Sequence, residues 1–134
     1  MTMRISARRI DMDDKILQKP TLKDYSETLV SANSGTTYTI DLTTGNTFKI
    51  TMTGNCTFTF SNPPISGTTG SFTLILIQDG TGSRTATWPA SVKWAGGTAP
   101  TLTTTATTGT DILTFVTTDA GTTWYGFAAG ADMQ

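Results

Sequence analysis

Few side chains in this sequence of 134 residues could carry out chemistry. It contains no histidine and a single cysteine, Cys56. Without histidine there is no Ser-His-Asp triad, no imidazole base and no His-ligated metal. A lone cysteine also excludes Cys-rich zinc sites and intrachain disulfides. We therefore expect no enzymatic activity, no metal and no other cofactor.

The acidic residues are the remaining candidates. Asp79, Asp111 and Asp119 could offer oxygen ligands to calcium, but their spacing lacks a dense Asp/Asn loop. Turn chemistry accounts for Asp79 and Asp119, which precede Gly80 and Ala120-Gly121. No two carboxylates have the context of a glycosidase pair. Cys56 lies on the apolar register of its strand, which predicts a small buried side chain rather than an intermolecular disulfide.

The most distinctive aromatic segment is Trp88-Pro89-Ala90-Ser91-Val92-Lys93-Trp94. Trp88 and Trp94 could form a stacking platform for a sugar ring, with Lys93 hydrogen-bonding its hydroxyl groups. The same rings could instead close one end of the hydrophobic core. A similar choice arises later in the chain, where Trp124 and Tyr125 must point to opposite faces of a strand. One of that pair lies inside, and we consider Tyr125 a candidate for a subunit contact.

Charge is concentrated at the N-terminus. Residues 1–27 hold six of the nine basic groups and five of the ten acidic groups. Residues 1–22 are too polar to form a core, so we predict an extended N-terminal arm that orders on a partner. A disordered or vector-derived tail is the alternative. The candidate anchor residues are Ile5, Arg8, Arg9, Ile10, Met12, Ile16 and Leu17.

The remaining chain must position these residues, and its pattern is that of a sheet protein. Threonine accounts for 32 of the 134 residues, and this β-branched residue favours the surface of a pleated sheet. Apolar and polar residues alternate through 38–42, 47–52 and 56–61, as in strands with one buried face. Gly-Asn pairs at 45–46 and 54–55 predict tight hairpins, which would join these strands in a meander.

Two further segments are strongly apolar. Residues 72–77 are apolar on both faces after Thr73, which predicts a central strand covered on both sides. Residues 112–116 form the second such segment. Together, these patterns predict an all-β fold, a β-sandwich or jelly-roll-like domain of about eight short antiparallel strands over residues 23–134. The absence of a repeat of fixed period argues against a solenoid.

Four segments resemble a small β-domain family found in the virion proteins of tailed bacteriophages, both fibre-like and decoration-type. They are residues 22–27, 70–76, 88–94 and 124–127. The resemblance spans residues 22–134 and implies a virion structural module, homotrimeric, whose arm docks on capsid, neck or tail proteins. Residues 1–21 of the arm lie outside the resemblance.

The function that we expect is therefore structural. We predict a non-enzymatic phage virion protein, either a capsid or neck decoration or a short fibre, anchored by its arm. The alternative is a carbohydrate- or receptor-binding module of a tail fibre that contacts a cell-surface glycan. A formal net charge of −1 predicts no nucleic-acid partner. No run of 18 apolar residues and no secretory leader is present, so we expect no membrane partner.

Overall fold

The computed structural model describes residues 10, 12–13 and 15–134, and its regular structure consists almost entirely of β-strands. One 3-10 turn covers Ala95–Gly97. The strands are β1 (Leu29–Asn33), β2 (Thr37–Asp41), β3 (Thr47–Met52), β4 (Cys56–Ser61), β5 (Gly70–Gln78), β6 (Ala86–Thr87), β7 (Val92–Trp94), β8 (Thr110–Thr117) and β9 (Trp124–Gly130). The described residues contain no helix long and apolar enough to cross a lipid bilayer.

The strands form two sheets that enclose one core. The larger sheet has the order β1-β3-β5-β8-β9-β7, and the smaller has the order β2-β4-β6. Phe60 of the small sheet is the clearest link between the layers, since its ring contacts those of Phe72, Phe115 and Trp124 in the large sheet. The centroid distances are 5.0, 5.1 and 5.3 Å. The prediction of an all-β sandwich is confirmed.

The predicted antiparallel meander is wrong for the first six strands. Successive strands alternate between the two sheets, so β1 pairs with β3 and β3 with β5, in parallel. β2, β4 and β6 form a second parallel ladder. The chain therefore winds as a flattened coil over these strands, although its sequence has no repeat of fixed period. Antiparallel pairing begins only where β8 joins β5 and β9 joins β8.

The Gly-Asn pairs explain the difference. A two-residue hairpin of the favoured type needs positive φ at its central residues. Neither Gly45-Asn46 nor Gly54-Asn55 has positive φ, so neither forms such a turn. Gly45 instead allows the backbone at Thr28 to pass close to it, since a Cβ on Gly45 would lie 2.8 Å from the Thr28 carbonyl oxygen. These residues carry the chain across from one sheet to the other.

The outer faces of the two sheets differ in chemistry. On the small sheet, Thr39, Thr57 and Thr59 point outward, and the hydroxyl groups of Thr39 and Thr59 are 2.8 Å apart. On the large sheet, aliphatic side chains stand at the centre, with Ile75 of β5 directly opposite Ile112 of β8. Threonines such as Thr47, Thr73 and Thr114 also point outward on the large sheet, so hydroxyl groups occur on both outer faces and are interrupted by aliphatic side chains only on the large one.

Candidate functional site

The arm residues of the described chain are exposed. Every residue from 15 to 29 is exposed, and Ile16 retains 88% of its accessible surface. Ile10, Met12 and Leu17 are also exposed. Their apolar side chains are thus accessible for contact with another molecule. The other candidate anchors, Ile5, Arg8 and Arg9, lie outside the described residues.

Trp88 and Trp94 belong to the aromatic core. Trp88 stacks on Phe58 with ring centroids 5.2 Å apart and an interplanar angle of 14°. Its ring also meets Trp94 edge-on at 5.4 Å, and Trp94 in turn packs against Phe115 at 5.6 Å. Gly126 lies beneath these rings, where a Cβ would come within 2.8 Å of Trp94. Both tryptophans are only partly buried, so they close one end of the sandwich while keeping some exposed surface.

Lys93 does not join the two tryptophans. It alternates with Trp94 along β7 and therefore points to the opposite, outward face of the large sheet. There its register partner is Tyr125 of β9, which is 54% exposed. The four candidate contact residues thus separate into two pairs, with Trp88 and Trp94 inside and Lys93 and Tyr125 outside. A single sugar platform made of Trp88, Lys93 and Trp94 is not formed.

A different cleft lies beside Trp88. It has a volume of about 220 Å³ and is lined on one side by Arg84 and Trp88, and on the other by the loop Ala99–Thr104. Pro100 and Leu102 give its wall an apolar part, while threonine hydroxyl groups stand at its border. This combination of an aromatic ring, an arginine and hydroxyl groups can hold a small polar ligand such as a saccharide.

Arg84 is held in place by two side chains. The Asp79 carboxylate accepts hydrogen bonds from Arg84 Nε and from a terminal guanidinium nitrogen, the latter at 2.8 Å. These hydrogen bonds lower the pKa of Asp79 to about 2. Gln78, which is buried, accepts from the backbone NH of Arg84 and donates to its carbonyl oxygen. The turn therefore holds the Arg84 guanidinium rigidly in an ion pair with Asp79, which neutralises most of its charge.

The other acidic side chains are structural. Buried Asp111 accepts hydrogen bonds from the backbone NH and the hydroxyl group of Thr103, both at 2.7 Å, and so ties down the loop before β8. Asp119 accepts from the Thr123 backbone NH, which lowers the pKa of its carboxyl group. Within the described part of the chain, no group of three or more potential ligands could hold a metal ion.

Cys56 is buried, as its register predicts. Only 2% of its surface is accessible, and burial raises the pKa of its thiol. It is a free cysteine packed in the core. A buried thiol with a raised pKa is a poor nucleophile, because the thiolate is the reactive form.

The outward side chains of β5, β8 and β9 form a continuous uncharged surface, which we call the apolar face. Its larger members are Ile75, Ile77, Ile112, Val116, Tyr125 and Phe127, and Ser71, Thr73, Thr110 and Thr114 lie among them on the same face. Phe127 is 51% exposed, and the four aliphatic residues are partly buried by their neighbours in the sheet. A cleft of about 300 Å³ lies on this face, between Phe127, Thr114 and Glu27. The Thr114 hydroxyl is buried there and has no hydrogen-bond partner among the described residues.

Sequence reasoning identified some of these residues and missed others. Tyr125 was a candidate contact residue, but Phe127, Ile112 and Arg84 were not. The double-sided apolar pattern of residues 72–77 was the indication available for the apolar face. Arg84 gave no such indication, because its cleft is formed with a threonine-rich loop that has no recognisable spacing.

Comparison with known protein families gives one match. Residues 29–124, from the start of β1 to the start of β9, match a family model described as "Putative phage tail fibre C-terminal domain". The matched segment covers most of the chain and nearly the whole sandwich, while the arm lies outside it. Searches of curated proteins and of solved structures gave no match.

Proposed function

Because this chain belongs to the phage tail fibre C-terminal domain family and is therefore a phage virion protein, we propose that it serves as a non-catalytic structural domain of a tail fibre. In this proposal the sandwich projects from the particle, the arm anchors it, and three copies associate. The family match over residues 29–124 is the observation that carries it. It favours the fibre over a capsid or neck decoration.

The arrangement of side chains supports a structural role. The aspartates at positions 41, 79, 111 and 119 accept hydrogen bonds from backbone NH groups, hydroxyl groups, an amide or Arg84, and so hold turns and loops in place. The exposed apolar residues of the arm favour docking, because burying one of them on a partner would yield about 1.5–3 kcal/mol. Ile16 is the most exposed large hydrophobic residue of the described chain.

Two experiments test this role. Immunogold electron microscopy of purified particles should label the tail fibres, and labelling of the head alone would contradict the proposal. For the anchor, Ile16→Asp should reduce incorporation into particles, whereas Ile65→Asp should not. Ile65 is an appropriate control because it is also highly exposed, at 76%, but lies in the loop between β4 and β5. Deletion of residues 1–21 should abolish incorporation. Normal occupancy after that deletion would refute the anchor.

The cleft beside Trp88 favours a second candidate function, binding of a cell-surface saccharide. We propose this binding as a property of the same fibre domain. Glycan-array binding by the wild-type chain should be lost in Thr101→Trp, in which the larger side chain fills the cleft. Thr57→Trp, on the outer face of the small sheet, is the matched control. Binding that survives Thr101→Trp, or no binding to any glycan, would exclude this site.

A further inference from the structure

We propose that the cleft beside Trp88 selects an uncharged monosaccharide unit, and that Asp79 sets this preference by balancing the charge of Arg84. This preference rests on the proposed saccharide binding, and it names the class of sugar that is bound. Among the described residues that line the cleft, Arg84 is the only charged one. The charge that a ligand meets in the cleft therefore depends on how Arg84 is paired.

The pairing with Asp79 leaves part of the Arg84 guanidinium free. The Asp79 carboxylate accepts hydrogen bonds from Arg84 Nε at 3.1 and 3.2 Å and from the terminal nitrogen Nη2 at 2.8 Å. The other terminal nitrogen, Nη1, donates to no residue of the described chain. The Arg84 side chain also remains 25% exposed. Because a guanidinium has five N–H donors, Arg84 can still donate to a ligand hydroxyl group while Asp79 balances its charge.

This arrangement favours a hydroxyl group over a carboxylate as the ligand. A carboxylate binds an arginine best through two parallel hydrogen bonds. Asp79 already occupies the side of the guanidinium that Nε and Nη2 form. A second carboxylate in the cleft would lie near the first, and two like charges repel each other. It would also lose hydration without meeting a net opposite charge. A neutral hydroxyl group incurs neither cost.

The two walls of the cleft are fixed to each other by the backbone. The NH group of Ser83 donates to the Thr104 carbonyl oxygen at 3.0 Å, and that of Thr107 donates to the Asp79 carbonyl oxygen at 2.8 Å. Gly82, with φ of 70°, allows the turn to pass close to the loop, since a Cβ there would lie 2.6 Å from the Thr104 carbonyl oxygen. The cleft is therefore preformed, so a bound sugar need not order either wall.

The size and lining of the cleft fit one sugar ring. Its volume of about 220 Å³ is smaller than the range of about 300–1,000 Å³ that is usual for pockets of drug-sized ligands. Phe58 covers one face of the Trp88 ring, and the accessible part of that ring lines the cleft together with Pro100 and Leu102. The hydroxyl group of Thr101 can donate or accept a hydrogen bond. A neutral hexose presents the same two kinds of surface, apolar ring faces and hydroxyl groups.

Titration of the full chain on a glycan array of matched pairs tests this preference. Each pair ends in a neutral hexose or in the corresponding uronic acid, which has a carboxylate in place of the hydroxymethyl group. The wild type should bind the neutral member about tenfold more tightly. Asp79→Asn removes the balancing charge and should shift this ratio by about tenfold toward the uronic acid. Asp119→Asn is the matched control, because it removes the same charge from a turn outside the cleft and should keep the wild-type ratio.

Circular dichroism identifies the folded variants. If Asp79→Asn fails to fold, Arg84→Gln replaces it. That variant leaves the Asp79 carboxylate unpaired beside the cleft, so binding should weaken for both members of a pair and most for the uronic acid.

The outcomes separate the charge preference from saccharide binding itself. If the wild type binds uronic acids as tightly as neutral hexoses, and Thr101→Trp abolishes both, the preference is overturned while the saccharide site stands. An unchanged ratio in folded Asp79→Asn would also overturn the preference. Absence of binding to every glycan would refute the preference and the saccharide site together. The fibre function is tested separately, by the labelling of particle tails.

Discussion

Gly126 is the position at which one added methyl group should measure how tightly the aromatic end of the sandwich is packed. A Cβ on Gly126 would lie 2.8 Å from Trp94 Cζ3 and 2.9 Å from Phe115 Cε1. Ordinary carbon–carbon contacts are about 3.5–4.0 Å, so both rings would have to move by more than half an ångström. Neither ring is free to do so, since Trp94 packs on Trp88 and Phe115 stacks on Phe72 at 4.8 Å.

The expected cost of Gly126→Ala follows from these contacts. Overpacking of a core typically costs about 1–3 kcal/mol. Replacing glycine restricts the unfolded chain and returns about 0.4–1 kcal/mol. The net loss in the free energy of unfolding should therefore be about 1–2 kcal/mol, which lowers Tm by roughly 4–8 °C for a domain of this size.

Urea unfolding followed by tryptophan fluorescence provides the assay, and the m-value should not change. Gly80→Ala is the matched control. A Cβ on Gly80 meets no heavy atom within 4 Å, and its φ is not positive, so this variant should be neutral or slightly more stable. If Gly126→Ala unfolds at the same urea concentration as the wild type, the rings move without cost and the reasoning from rigid packing is wrong.

Three further changes have expected results. Asp79→Asn should reduce stability at pH 7. The difference from wild type should vanish as pH falls from about 4 to 2, because the folded-state pKa of Asp79 is lowered to about 2. Thermal unfolding of both proteins at pH 7 and at pH 2 checks this. Phe60→Ala should cost about 3–5 kcal/mol in urea unfolding, since its ring joins both sheets, whereas a result below about 1 kcal/mol would contradict that role. Thr103→Val should lower the free energy of unfolding by about 1–3 kcal/mol, because it removes the hydroxyl group that donates to buried Asp111. Thr39→Val, on the outer face of the small sheet, is the control.

The strands were predictable from sequence, but their partners were not. The alternation in residues 47–52 identifies β3 and its buried face correctly. A period of two is the same in parallel and antiparallel ladders, however, so it cannot indicate which strand lies alongside. The pairing depends on how the chain crosses between sheets at Gly45 and Gly54, and their backbone angles are set by contacts distant in sequence.

The candidate site was predictable to a similar extent. The composition of residues 72–77 predicted that both faces of this strand are covered. The sequence could not show that the chain itself covers only one of these two faces. Lys93 and Trp94 are adjacent in sequence, yet strand alternation places them on opposite faces of the large sheet. The Arg84 cleft requires the loop that follows the 3-10 turn at Ala95–Gly97, which has no recognisable spacing relative to Arg84, so local spacing gives no indication of it.

The winding of β1 to β6 has a consequence for how this protein reaches its native state. In this part of the chain no strand pairs with its immediate successor. Leu29 pairs with Thr47 and Cys56 pairs with Ala86, so each ladder can form only after the later strand is available. Every such ladder closes a long loop before it gains any hydrogen bond, and topologies of this kind fold on timescales of about milliseconds to seconds. Until β3 and β4 have been synthesised, β1 and β2 have no partner strands, so no ladder of this coil can begin to form before the chain has reached β3.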